Sequence, residues 1–167
     1  MITLERTPKT LSEWFEIYGD PREQGSDSYS KVWAKQNLVW YPAPFKMVLS
    51  WDLDFEVEWL WMHRRIGAVV LDALREVVSD LGEQYLIDSG WNRWGGCFNF
   101  RPQRGDPMVL SSHAMAAAVD INPHLGLMGE RSRQPEIITK AFVDRGFVWG
   151  GEFKIPDGMH YQAGTGL

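Results

Sequence analysis

Ile66, Val69, Val70, Ala73, Leu74, Val77, Val78 and Leu81 recur at the spacing of one helical face, and Gly82 follows directly. A stripe of this kind is stable only when buried, so the rest of the chain must supply an apolar surface for it. Gly82 stands where a helix end wants a residue free to take positive φ. With 167 residues the chain is expected to form one domain over 1–167, large enough for a real core.

Around this main helix the pattern is weaker. Leu4 to Pro44 is rich in Gly, Pro, Ser and aromatics and reads as a loop-rich lead-in (1–44) packed on the core. Gln84 to Ile87 and Gly96 to Phe100 read as short strands, as does Phe147 to Trp149. Val119 and Ile121 flank Asp120 with period two, so a strand there turns its apolar pair to the core and Asp120 to the other face. Pro135 to Arg145 reads as a helix with Pro in its first turn and Gly146 beyond its end.

Composition excludes several partners. A net charge of -5 with scattered Lys and Arg offers no basic footprint for nucleic acid. No apolar run approaches the length of a membrane span, and Met1 to Phe15 lacks the apolar core of a signal peptide. Synthesis in the cytoplasm is therefore expected, and a monomer. The single Cys97 makes no internal disulfide and reads as a buried packing residue. Nine tryptophans are many for this length; core and rim packing accounts for most, and a groove for a sugar or peptide is the alternative use.

The residues with chemistry to offer are His113, Asp120, Asp157 and His160. Two imidazoles and a carboxylate form the three-donor set of a catalytic zinc site, which keeps one position open for water, and a carboxylate nearby can move the proton. His113 and Asp120 are seven positions apart, nearly one face of a helix but opposite faces of a strand, so a strand here needs a bend between them. The small residues Ala114 to Ala118 leave room for it. His160 must arrive from far along the chain and is read in a loop, with Asp157 three residues before it as the candidate general base. Taken singly, His113 reads more readily as a hydrogen-bonded core histidine than as a ligand. His63 and His124 are read as structural or exposed, with His124 the substitute ligand.

The run Leu110 to Pro123, with Ser111, His113, Ala118 and Asp120, resembles the Ser-x-His-x-x-Gly-x-Ala-x-Asp signature of the M15 zinc peptidases. These are the D-alanyl-D-alanine carboxypeptidases and L-alanyl-D-glutamate endopeptidases, phage endolysins among them. Phe98 to Pro102 with Arg104-Gly105, Gly146 to Gly151, and Asp157 to Tyr161 follow in the family's order, with fainter similarity in Tyr18 to Pro21 and around His63. The resemblance implies an α+β, hedgehog/D,D-peptidase-like fold: a small antiparallel sheet carries the zinc, with helices behind it. It also implies that His113, Asp120 and His160 bind Zn2+, that Asp157 is catalytic, and that Ser111 and Arg101 serve substrate binding or the transition state. Arg101 would hydrogen-bond the oxygen that turns negative, or hold a substrate carboxylate; an ion pair is its structural alternative. Ala116 stands where the signature has Gly, and Glu152 where an Asp is common.

On this reading the chain hydrolyses the stem peptide of bacterial peptidoglycan, as an L-alanyl-D-glutamate endopeptidase acting on the cell wall after release. A D-alanyl-D-alanine carboxypeptidase is the alternative within the class. From other classes come a zinc-containing wall-binding module without turnover and a two-histidine, one-carboxylate iron oxygenase. The oxygenase is disfavoured by spacing, and the binding module by the presence of Asp157 and Arg101.

Overall fold

In the computed structural model, which describes residues 1–167, helical structure begins early, because Thr10 and Glu13 form a reciprocal capping box at the start of α1 (Leu11–Tyr18). A second short helix, α2 (Lys31–Asn37), is capped by Ser30. The lead-in thus holds two short helices among its loops, its last residues 38–44 belong to a strand, and Trp14, Tyr18 and Trp33 bury its inner side. The Trp14 indole N–H donates to the Thr165 carbonyl at 2.8 Å, which ties this segment to the far end of the chain.

Two long strands, β1 (Leu38–Leu49) and β2 (Asp52–His63), then form an antiparallel hairpin. After it come α3 (Gly67–Leu81) and α4 (Glu83–Asp88), then β3 (Arg93–Gly96), β4 (Ala118–Ile121), α5 (Glu136–Val143), β5 (Val148–Trp149) and β6 (His160–Gln162). The strands make one six-stranded sheet in the order β2-β1-β3-β4-β6-β5. All neighbours are antiparallel except β1 and β3, so the sheet is mixed and not purely antiparallel as expected.

The apolar stripe of α3 packs on β1 and α5, and Gly82 ends the helix at φ 81° as its position predicted. The buried Arg145, just beyond α5, bonds Asp72 and Glu76 of α3 at 2.7 Å each, pinning the two helices together. Two strand assignments are corrected. Gln84 to Ile87 lies in α4, where Leu86 alone is buried and Gln84 reaches Asp88 one turn on at 2.8 Å. Of Gly96 to Phe100 only Gly96 is in a strand, as the last residue of β3, and the chain leaves the sheet there with φ 115°. No helix is long and apolar enough to cross a membrane.

His63 closes the hairpin against this core, fully buried. Its Nε2 lies 3.2 Å from the Tyr18 carbonyl, and its Nδ1 accepts from Arg65 N–H. A ring that donates at one nitrogen and accepts at the other is neutral, and burial lowers its pKa to about 4. The unfolded chain binds a proton at His63 below about 6.5, whereas the folded chain does so only near 4. Stability should therefore fall as pH drops through that window, by at most about 1.4 kcal/mol per pH unit from this group. Urea denaturation across the window checks it, with His63→Gln expected to flatten the slope.

Candidate metal centre

Asp120 sits mid-strand in β4 between buried Val119 and Ile121, so the alternation of the pleat turns its carboxylate to the opposite face. In the register Asp120 pairs with His160 of β6 and Gly96 of β3, and directly opposed residues share a face. His160 is thus the first residue of a strand, not a loop residue as expected. A Cβ on Gly95 would lie 2.7 Å from the Asp120 Cβ, so the neighbouring strand must be side-chain-free there.

His113 reaches the same face through a short 3₁₀ turn, Ser112–Met115, followed by Ala116 in the left-handed region at φ 49°, ψ 36°. This is the bend that the His113 to Asp120 spacing requires, and it explains why glycine suits position 116. Here alanine accepts the strain within a fully buried site. Ala116's carbonyl is held in turn by His63 N–H at 3.2 Å and the Cys97 thiol at 3.3 Å. Cys97 is buried as expected, and burial pushes its thiol pKa up, away from reactivity.

The three donors converge closely. His113 Nε2 lies 3.1 Å from His160 Nδ1, and both are 3.2 Å from Asp120 Oδ1. Their neighbours decide which ring nitrogens carry protons. Gln162 donates its amide N–H to the Gly164 carbonyl at 2.8 Å, which leaves its oxygen to accept from His160 Nε2 at 2.9 Å. His113 Nδ1 donates to the Cys97 carbonyl at 2.7 Å. With the outer nitrogens protonated, two imidazole lone pairs and a carboxylate oxygen face one another, an arrangement that could hold a metal ion. Bonds of about 2.0–2.1 Å in a tetrahedral shell put ligand atoms about 3.3 Å apart, close to the spacings found. Without a cation, the histidines and the carboxylate favour one another's charged forms. Burial alone would raise Asp120, yet the two histidines hold it well below the usual carboxylate range. Burial alone would lower His160, yet the adjoining Asp120 raises it.

Asp157 stands beside this group without joining it. The turn that carries it packs on Gly150, where a Cβ would lie 2.6 Å from the Asp157 carbonyl oxygen and 3.1 Å from the His160 Cβ. Burial raises the Asp157 pKa, and its Oδ1 is buried with no hydrogen-bond partner. A cleft of about 520 Å3 opens over these groups and also includes Ser111, Arg101, Arg104 and Phe153. Ser111 caps the 3₁₀ turn, its oxygen accepting from His113 N–H at 3.3 Å. Arg101 bonds only the neighbouring Pro102 carbonyl, at 3.1 Å, and makes no ion pair. His124 lies outside the donor group, and Glu152 is exposed.

Residues 104–163 match the sequence model of a peptidase family described as D-alanyl-D-alanine carboxypeptidase. The matched stretch, 60 of the 167 residues, is similar to the M15 peptidases. The matched segment holds all three donors and Asp157, while Arg101 and the β1-β2 hairpin precede it. No curated protein and no solved structure matches the chain. The similarity supports a hydrolase, a peptidase of the general kind that acts on peptidoglycan. Sequence reading passed over Gln162, although position i+2 from a strand ligand shares its face, and it passed over the backbone carbonyl of Cys97, which has no sequence signal at all.

The strained alanine gives a direct test. Ala116→Gly is expected to leave stability within about 1 kcal/mol, because relief of roughly 1 kcal/mol of left-handed strain is offset by the loss of a buried methyl worth about 0.8 kcal/mol. Ala116→Val, β-branched in that conformation and crowded on all sides, should lose about 3 kcal/mol or more by urea denaturation.

Proposed function

We propose that this chain is an M15-type, zinc-dependent endopeptidase that cuts within the peptidoglycan stem peptide, at the L-alanyl-D-glutamate bond. One observation carries the reading. The donor face lies at the meeting of two clefts: the one of about 520 Å3 described above, and another of about 370 Å3 lined by Trp51, Phe98, Asn99 and Leu127, with His113 and Asp120 in both. An internal bond needs substrate on both sides of the reacting centre, and a site open on both sides suits it.

His113, Asp120 and His160 would hold the zinc, which supplies Lewis acidity that polarises the scissile carbonyl and acidifies water. The chain's own groups do the rest. Gln162 and the Cys97 carbonyl keep both imidazoles turned with their lone pairs inward. Asp157, half-desolvated and with an oxygen free of partners, takes the proton of the attacking water and returns it to the leaving amine. Arg101 and Arg104 border both clefts without carboxylate partners, so either is free to bind the developing oxyanion or a stem-peptide carboxylate. Those same cations favour the second reading, a carboxypeptidase that grips a terminal carboxylate.

Digestion of purified peptidoglycan, with product termini identified by mass spectrometry, separates the two. A new D-Glu amino terminus is expected, whereas free D-Ala would establish the carboxypeptidase. Asp157→Ala should lower the rate by about 10²–10⁴-fold while zinc binding and the melting midpoint persist; full activity in that variant would sink the assigned role. Zinc should raise the melting temperature of metal-stripped protein, and His113→Ala should abolish most of that rise.

A further inference from the structure

The β1-β2 hairpin carries aromatic surface that packing does not explain. Trp40 is 59% exposed, Phe55 56% and Trp59 53%, although each lies in a regular strand. They share a face. Trp40 pairs with Trp61 and Pro42 with Trp59 in the register, and Phe55 follows Trp59 at the even spacing of one side of the pleat. The Trp40 and Trp61 rings stack at 5.5 Å, and Trp61 meets Phe98 edge-on at 5.1 Å. Together they form a shallow apolar trough of about 220 Å3.

The trough is continuous with the metal cleft. Gly96, Cys97 and Phe98 line both the trough and the second cleft, which also reaches His113 and Asp120. Asn99, next to Phe98, donates its backbone N–H to the His113 carbonyl at 3.1 Å. A polymer that presents a peptide to the metal can thus lie across the hairpin without a break.

We propose that this trough binds the glycan part of the same polymer, an uncharged chain of N-acetylated hexosamines, by stacking sugar faces on Trp40 and Trp59. The assignment deepens the peptidoglycan reading and rests on it. Charge narrows the choice of occupant. No charged residue lines the trough, the acidic Asp52, Asp54, Glu56 and Glu58 of β2 project from the opposite side of the pleat, and the chain carries a net charge of -5, so an anionic lipid surface or a nucleic acid finds no counter-charge here. A pyranose offers an apolar C–H face to the flat rings, and its hydroxyls stay in the water above an open trough.

The test has two readouts. Wild-type protein titrated with the tetramer of N-acetylglucosamine, which contains no peptide bond to cut, should show saturable change in tryptophan fluorescence. Trp40→Ala and Trp59→Ala should each weaken that binding about tenfold, and should lower the preference for disaccharide-linked over free stem peptide by a similar factor. Trp40→Phe serves if loss of the stacked ring impairs folding. Stem-peptide cleavage without saccharide binding would overturn the trough assignment alone. Saccharide binding without cleavage of any stem peptide would uphold the trough and sink the peptidase reading. A dimer by size exclusion that the Trp variants dissociate would overturn the assignment in favour of a second copy of the chain.

Discussion

The antiparallel pairing of β4 with β6 is the contact on which the rest of the molecule depends. It sets Asp120 directly across from His160, although forty positions separate them in the chain. A slip of one residue would turn one of the pair to the core face, since side chains alternate along a strand. The register is held from the core side: Val119 and Tyr161, which pair with each other, are both fully buried, and so is Ile121 beyond them. The hydrophobic core therefore fixes the placement of a polar site on the other side of the same sheet.

Glycine and small residues let other segments come close enough to finish that site. Gly95 brings β3 against Asp120, and Gly150 brings the Asp157 turn against His160. Ala116 stores the strain that swings His113 onto the donor face, and His63 and Cys97 hold its carbonyl in place. The orientation of the histidines follows from a chain of ordinary hydrogen bonds. Gly164 orients Gln162, whose oxygen accepts from His160 Nε2–H and so leaves Nδ1 to the donor face. The outcome is a close group of three donors that could hold a metal ion.

The two halves of the sheet do different work. Strands β4 and β6 carry chemistry on a buried frame, while the long hairpin at the other end keeps its aromatic side in water. β2 is an edge strand, and its exposed Asp and Glu residues guard it against pairing with other chains. The aromatic face opposite them carries no charge of its own, which suits an uncharged ligand.

Much of this was legible in the amino-acid order. The α3 stripe with Gly82, the Asp120 alternation and the bend demanded between His113 and Asp120 all follow from local periodicity and spacing. The helices of the lead-in were also legible, through Thr10 and Glu13, but the surrounding Gly, Pro and Ser masked them. Gln84 to Ile87 misled because a short apolar run carries too few residues to distinguish a period of two from one of 3.6. The sequence by itself determined which residues could donate to a metal and which faces had to be buried, because those depend on side-chain chemistry and near neighbours. Only the tertiary structure decided that His160 lies in a strand beside Asp120, that Gln162 and the Cys97 carbonyl set the histidine tautomers, and that β1 runs parallel to β3. Those arrangements join segments distant in the chain, and the burial of the whole core, which no local pattern encodes, selects them.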